Sequence, residues 1–151
     1  MPDPLFESRT PRLELPLLFA GQSQKEGFVN ELAARLDAAV HGAIEADLAV
    51  PPANPLDGQC WLVAAGASDD WHGQAGKVAA RQAGNWLFLT LRDGMKLLNR
   101  ANGQEIRFNN GWKAALRPAA VAGGATVDAE ARIAIAALGA VLTTAGIIPP
   151  S

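Results

Sequence analysis

At Val50-Pro51-Pro52-Ala53-Asn54-Pro55 the chain changes its hydrophobic period, and that break constrains the fold more than any other feature. Proline lacks an amide donor and clashes with the preceding helical turn, so no helix crosses these residues. Upstream, Phe28, Leu32, Leu36, Val40, Ile44 and Leu48 recur every four residues, and Val29, Ala33, Ala39 and Ala43 widen the stripe. The spacing predicts one long amphipathic helix over 21–49, opened by Gln22 or Ser23, with Lys25, Glu31, Arg35 and Glu45 on its polar face. Burying about four of the bulky side chains, at ~1.5–3 kcal/mol each, would offset the poor helical propensity of Gly27 and Gly42. Downstream the period falls toward two. Residues 60–64, 77–81, 86–91, 95–98, 105–108 and 112–116 read as short strands, which predicts an antiparallel β-meander with hairpins over 50–117. Ala83-Gly84-Asn85 and Asn109-Asn110-Gly111 carry the turn chemistry that hairpins require, and each leads into a tryptophan, Trp86 or Trp112.

The ends differ from the middle. Residues 1–20 contain Pro2, Pro4, Pro11 and Pro16 and read as an extended arm that lies along something else, with a neighbouring subunit as the candidate. Residues 118–151 read as a linker rich in alanine and glycine, followed by a helix over about 129–145 that Thr126 or Asp128 caps and Gly146 ends. After Arg132 no charged residue follows, yet Gly139, Thr143, Thr144 and Gly146 dilute the stretch. Its apolar part falls short of the roughly 20 residues a bilayer core requires, so no membrane insertion is expected. Ile133, Ile135, Leu138, Val141 and Leu142 point in several directions, and a helix apolar all round must be enclosed. Copies of the same chain are the expected cover, with Phe28, Leu32, Leu36, Val40, Ile133, Leu138, Val141 and Leu142 at the interface between them. The whole is an α+β chain of 151 residues forming one structural unit: arm, long N-terminal helix, sheet lobe and apolar C-terminal helix.

Several function classes lose support from composition and spacing. Thirteen Lys and Arg stand against 15 Asp and Glu, a formal net charge of −2, so nothing draws the chain toward phosphate backbones and no nucleic-acid partner is expected. The one cysteine, Cys60, reads as a small buried hydrophobe beside Trp61 and leaves no internal disulfide. The opening Met1-Pro2-Asp3-Pro4 is not basic and Pro16 interrupts the apolar run 15–20, so a cytoplasmic protein at synthesis is expected. Neither His41 nor His72 stands beside a candidate nucleophile, Gly73-Gln74-Ala75-Gly76 does not lead into a helix, and no metal-ligand spacing is present. The expectation is a protein that is not an enzyme and holds neither cofactor nor metal. A small hydrolase built on His72 and its neighbouring carboxylates lacks a positioned nucleophile. Asp69-Asp70-Trp71-His72-Gly73 instead supports a rival reading, a carbohydrate-binding domain that stacks host surface polysaccharide on Trp71, with Asp69, Asp70, His72 and Trp112 assisting. Trp61 and Trp86 are expected in the core and Trp71 exposed.

Three stretches carry a family resemblance. The segment from Leu15 to Glu26, LPLLFAGQSQKE, is followed by Asn30-Glu31 and Leu36-Asp37; Pro55 to Ala67, PLDGQCWLVAAGA, is followed by Trp71-His72-Gly73 and Gly84-Asn85-Trp86-Leu87-Phe88; and Val127 to Arg132, VDAEAR, closes the set. Together they resemble the domain-of-unknown-function family 2793 over most of residues 11–116. The chain departs from that pattern at Leu89 to Gly94, where a proline is expected before the charged turn. The resemblance implies a component of phage-like or gene-transfer-agent particles of alphaproteobacteria, associated with tail fibres or spikes, and it carries over no catalytic residue. The function expected on these grounds is a structural adaptor or appendage module that self-assembles as a homo-oligomer. By analogy with fibres and spikes that oligomer is a trimer, joined to other particle proteins and located in the assembled virion.

Overall fold

Alternation of side chains along three adjacent strands organises the molecule. The computed structural model describes residues 9–18, 21, 25–124 and 126–150. A helix, α1 (Glu26–Ala39), precedes strands β1 (Ala43–Ile44), β2 (Asp47–Leu48) and β3 (Cys60–Val63). A short 3-10 turn (Asp69–Trp71) leads to β4 (Val78–Gln82), β5 (Asn85–Leu89), β6 (Lys96–Asn99), β7 (Gln104–Phe108), β8 (Trp112–Lys113) and a second helix, α2 (Ala129–Thr144). One sheet has the order β2-β3-β4-β5 and the other β1-β6-β7-β8. On one face of the first sheet Cys60, Leu62, Val78, Ala80 and Leu89 meet Ala38, Ile44, Leu97 and Ile106, which closes the main core between the sheets and α1. The other face turns Trp61, Val63 and Ala79 toward Trp71, with Trp86 and Phe88 packed alongside. Successive residues therefore feed two cores, as a period of two demands.

The α+β class is as read from the sequence, but the single antiparallel meander is not. Antiparallel pairing joins β3-β4-β5 and β6-β7-β8, while β1 runs parallel to β6 and β2 parallel to β3. The parallel strands come from residues 43–48, which the period of four assigned to the end of a helix over 21–49. That helix is shorter: α1 has 14 residues and stops at Ala39. A spacing of four is close to one helical turn and is also an even number of strand residues, so it does not separate the two states. His41 turns the chain with φ 49°, and a Cβ at Gly42 would collide with the Leu97 side chain. Each of the two short strands then supplies a parallel edge to a different sheet. The hairpin turns are as expected: Ala83 and Gly84 take φ 48° and 74°, and Asn110 and Gly111 take φ 47° and 111°.

Residues 9–18 correct the picture of the arm, since they lie against α1 of their own chain. The Asp37 carboxylate, buried on the alanine-lined face of α1, accepts from Thr10 Oγ1 (2.7 Å), Arg12 N (3.1 Å) and Leu13 N (2.5 Å). Arg12 in turn donates to the carbonyls of Asp37 (2.6 Å), Ala38 (3.2 Å) and His41 (2.8 Å). A guanidinium on the last carbonyls neutralises the negative end of the helix and ends it. The expected helix opening at Gln22 or Ser23, and the arm's residues 1–8 and 19–20, lie outside the described residues.

Helix α2 forms where expected. Asp128 Oδ1 accepts from Ala131 N (2.8 Å) as its cap, and Gly146 follows its last turn with φ 69°. No residue of α2 is buried.

Candidate functional site

The loop that leads to Trp71 folds in a way that hides its indole. Asp69 adopts φ 52°, Trp71 N donates to Ser68 O (3.0 Å) and His72 N to Asp69 O (3.0 Å). This tight turn drives Trp71 inward until it is fully buried. Its ring lies 6.3 Å from Trp61 and 5.1 Å from Trp86, and Trp61 lies 5.7 Å from Trp86, the last two contacts edge to face. The expected exposed stacking platform is therefore a core piece, and the reason is local: the polar residues flanking Trp71 face water while the indole between them faces β3 and β5. Asp69, Asp70 and His72 remain exposed. Trp112 does not join them. It belongs to the other sheet, where it packs edge to face on Phe108 at 5.3 Å. Trp61 is in the core as expected, and Trp86 is half-buried under the Arg81 guanidinium, 5.1 Å from its ring. Cys60 is buried, and that burial pushes its thiol up to about 11, which keeps it protonated and unreactive at neutral pH.

The residues assigned to an interface lie on the outside. Helix α1 turns Ala33, Ala34, Asp37 and Ala38 toward the protein, while Phe28, Leu32, Leu36 and Val40 face outward, Phe28 at 81% exposure. The chain itself does not bury that stripe, so it contributes nothing to holding α1 within one copy. Small side chains permit a close seat on the sheets, and the Asp37 hydrogen bonds hold it there. Ile133, Leu138 and Val141 of α2 are exposed too, Ile133 at 69%, and Leu142 is half-buried.

Sequence reasoning missed two further parts of this surface. Residues 114–124 run without regular secondary structure beside α2, held by Arg117 to Pro149 O (3.0 Å) and Thr143 Oγ1 and by Arg132 to Gly123 O. A groove of about 420 Å³ opens between them, lined by Val121, Ile135, Leu138, Leu142 and Ile148. Leu116 (84% exposed), Val121 and Val127 enlarge the apolar surface. The joint to the sheets is Gln104, a buried amide that donates to Ala115 O (2.6 Å) and Ile147 O (3.0 Å), while Glu105 N donates to Gly146 O (2.7 Å). Nothing in its local pattern marks Gln104 except a polar residue at an inward position of β7.

Among the described residues, no three His, Cys, Asp or Glu side chains converge as metal ligands do, and no helix is long and apolar enough to cross a membrane. The family model described as "Protein of unknown function (DUF2793)" matches residues 29–113, more than half of the chain. The chain belongs to this family. Its matched region runs from α1 to β8 and so contains both sheets, while α2 and the irregular segment beside it lie beyond. No curated protein matches the chain.

Proposed function

We propose that this member of the family is a non-catalytic structural module that assembles with copies of itself, as an adaptor or appendage domain of a phage-like or gene-transfer-agent particle. The observation that carries the assembly is the outward placement of bulky apolar side chains on α1, on α2 and along residues 116–127. Each of these elements leaves several bulky aliphatic or aromatic side chains in water, more than the scattered single residues that need no explanation on a monomer's surface. An outward face on a single helix could serve a small partner. Three elements exposed together are what an intertwined homo-oligomer would cover, and three copies are the proposed number, by analogy with fibres and spikes. The particle context rests on the family resemblance alone. A host-polysaccharide role through Trp71 loses its stacking surface, because that indole is enclosed.

The pair Ile133→Glu and Val141→Glu tests this reading, since both positions are exposed in the single chain and cannot disturb its core. Light scattering behind size exclusion should report an oligomer for the native chain and a folded monomer of 15.8 kDa for the double variant. Equal masses for the two would remove α2 from the assembly.

A further inference from the structure

Three cations stand in a row across the solvent face of the second sheet. Lys96 on β6 is opposite Arg107 on β7, and Arg107 is opposite Lys113 on β8. All three are exposed, while Leu97, Ile106, Phe108 and Trp112 fill the inner face of the same strands. Directly opposed residues share a face, so the three side chains spread positive charge over about 10 Å at right angles to the strands. Such a row works against the sheet, because like charges opposite one another are destabilising. Lys96 reaches Glu105 at 2.8 Å, but neither Arg107 nor Lys113 forms an ion pair among the described residues. Lysine at an edge protects against stray strand pairing, which would account for Lys113. It does not account for Arg107, which sits on an interior strand between β6 and β8. A chain of net charge −2 concentrates these cations on one face without being basic as a whole.

We propose that this face binds an acidic polysaccharide, a sugar chain whose regularly spaced carboxylates lie across β6, β7 and β8 and accept from Lys96, Arg107 and Lys113. The planar guanidinium of Arg107, at the centre, is suited to a bidentate carboxylate contact. A glycan fits better than nucleic acid because the face presents no aromatic ring for bases to stack upon, since Phe108 and Trp112 point inward. The site does not depend on the apolar helices, so it stands or falls separately from assembly.

Titration calorimetry at low salt with oligogalacturonate as the probe tests it, with neutral dextran and an oligothymidylate as comparators. Saturable binding of oligogalacturonate alone is expected. Arg107→Gln should weaken it about tenfold or more, and Arg107→Gln with Lys113→Gln should abolish it. Arg81→Gln, which removes a cation from the other sheet, should leave it unchanged. Both substitutions relieve repulsion, so the melting temperature of the double variant should be no lower than native, which separates lost binding from lost fold. Absence of binding, equal binding by the native and double variants, loss of binding in Arg81→Gln, or tighter binding of oligothymidylate would each overturn the proposal.

Discussion

Asp37 joins residues far apart in the sequence through one buried carboxylate. Removing it leaves the Thr10 hydroxyl and the amides of Arg12 and Leu13 without their acceptor. Asp37→Ala should therefore cost about 3 kcal/mol or more in a denaturant titration, and Thr10→Val less, because Thr10→Val removes one donor and leaves the carboxylate its two amides. The sequence held a signal for this that was not read: an acid on the alanine-rich side of α1, where the outward stripe has its bulk. Trp71 was misjudged for a related reason. Charged neighbours mark a loop as solvated, but successive side chains of a 3-10 turn point about 120° apart, so one can face the protein while its neighbours face water, and the indole was the one that could fill a core. Trp71→Ala should cost about 3–5 kcal/mol. Cys60 supplies a pH test with a definite sign. Its folded-state pKa lies above its unfolded value, so the stabilisation from a protonated buried thiol is complete below about pH 9 and is lost as pH rises toward about 11. Over that window the native chain should lose about 2–3 kcal/mol relative to Cys60→Ala.

At the scale of elements, the hairpin strands and α2 were legible, and the end of α1 was not. Glycine-bounded runs with period two located β3 to β7 within a residue or two, because tight turns with positive φ leave a clear mark at Gly84 and Gly111. The parallel edges β1 and β2 were invisible: each is two residues long, and their partners lie far along the chain. The end of α1 is set by Arg12, which no local pattern around Ala39 contains. Helix α2 was legible at both ends, since Asp128 and Gly146 act locally. Its surroundings were not, because a run without charge shows that a helix is apolar and not what it packs against. Gln104→Ala should loosen the attachment of α2 and the irregular segment beside it by about 1–3 kcal/mol. Hydrogen exchange would report that as faster exchange at residues 129–145, with β3 and β4 unchanged.

The whole molecule divides into a part that is complete and a part that is not. The two sheets with α1 hold two cores and the hairpin turns, and the family model covers most of this region, while the Thr10, Arg12 and Leu13 side of the Asp37 clasp precedes it. The C-terminal third is ordered by arginine-to-carbonyl contacts and one glutamine joint, yet it buries almost none of its own aliphatic side chains. Its apolar character was plain from the sequence as a run without charge; that it stays outside the chain's own core is set by long-range packing, which no local run records. Sedimentation equilibrium over a wide range of concentration is the most direct measurement, because it needs no ligand and no variant. A single species near three times the 15.8 kDa chain mass is expected, dissociating only at high dilution. A mass of one chain at the highest concentrations would contradict the claim that these helices are covered by copies of the same protein.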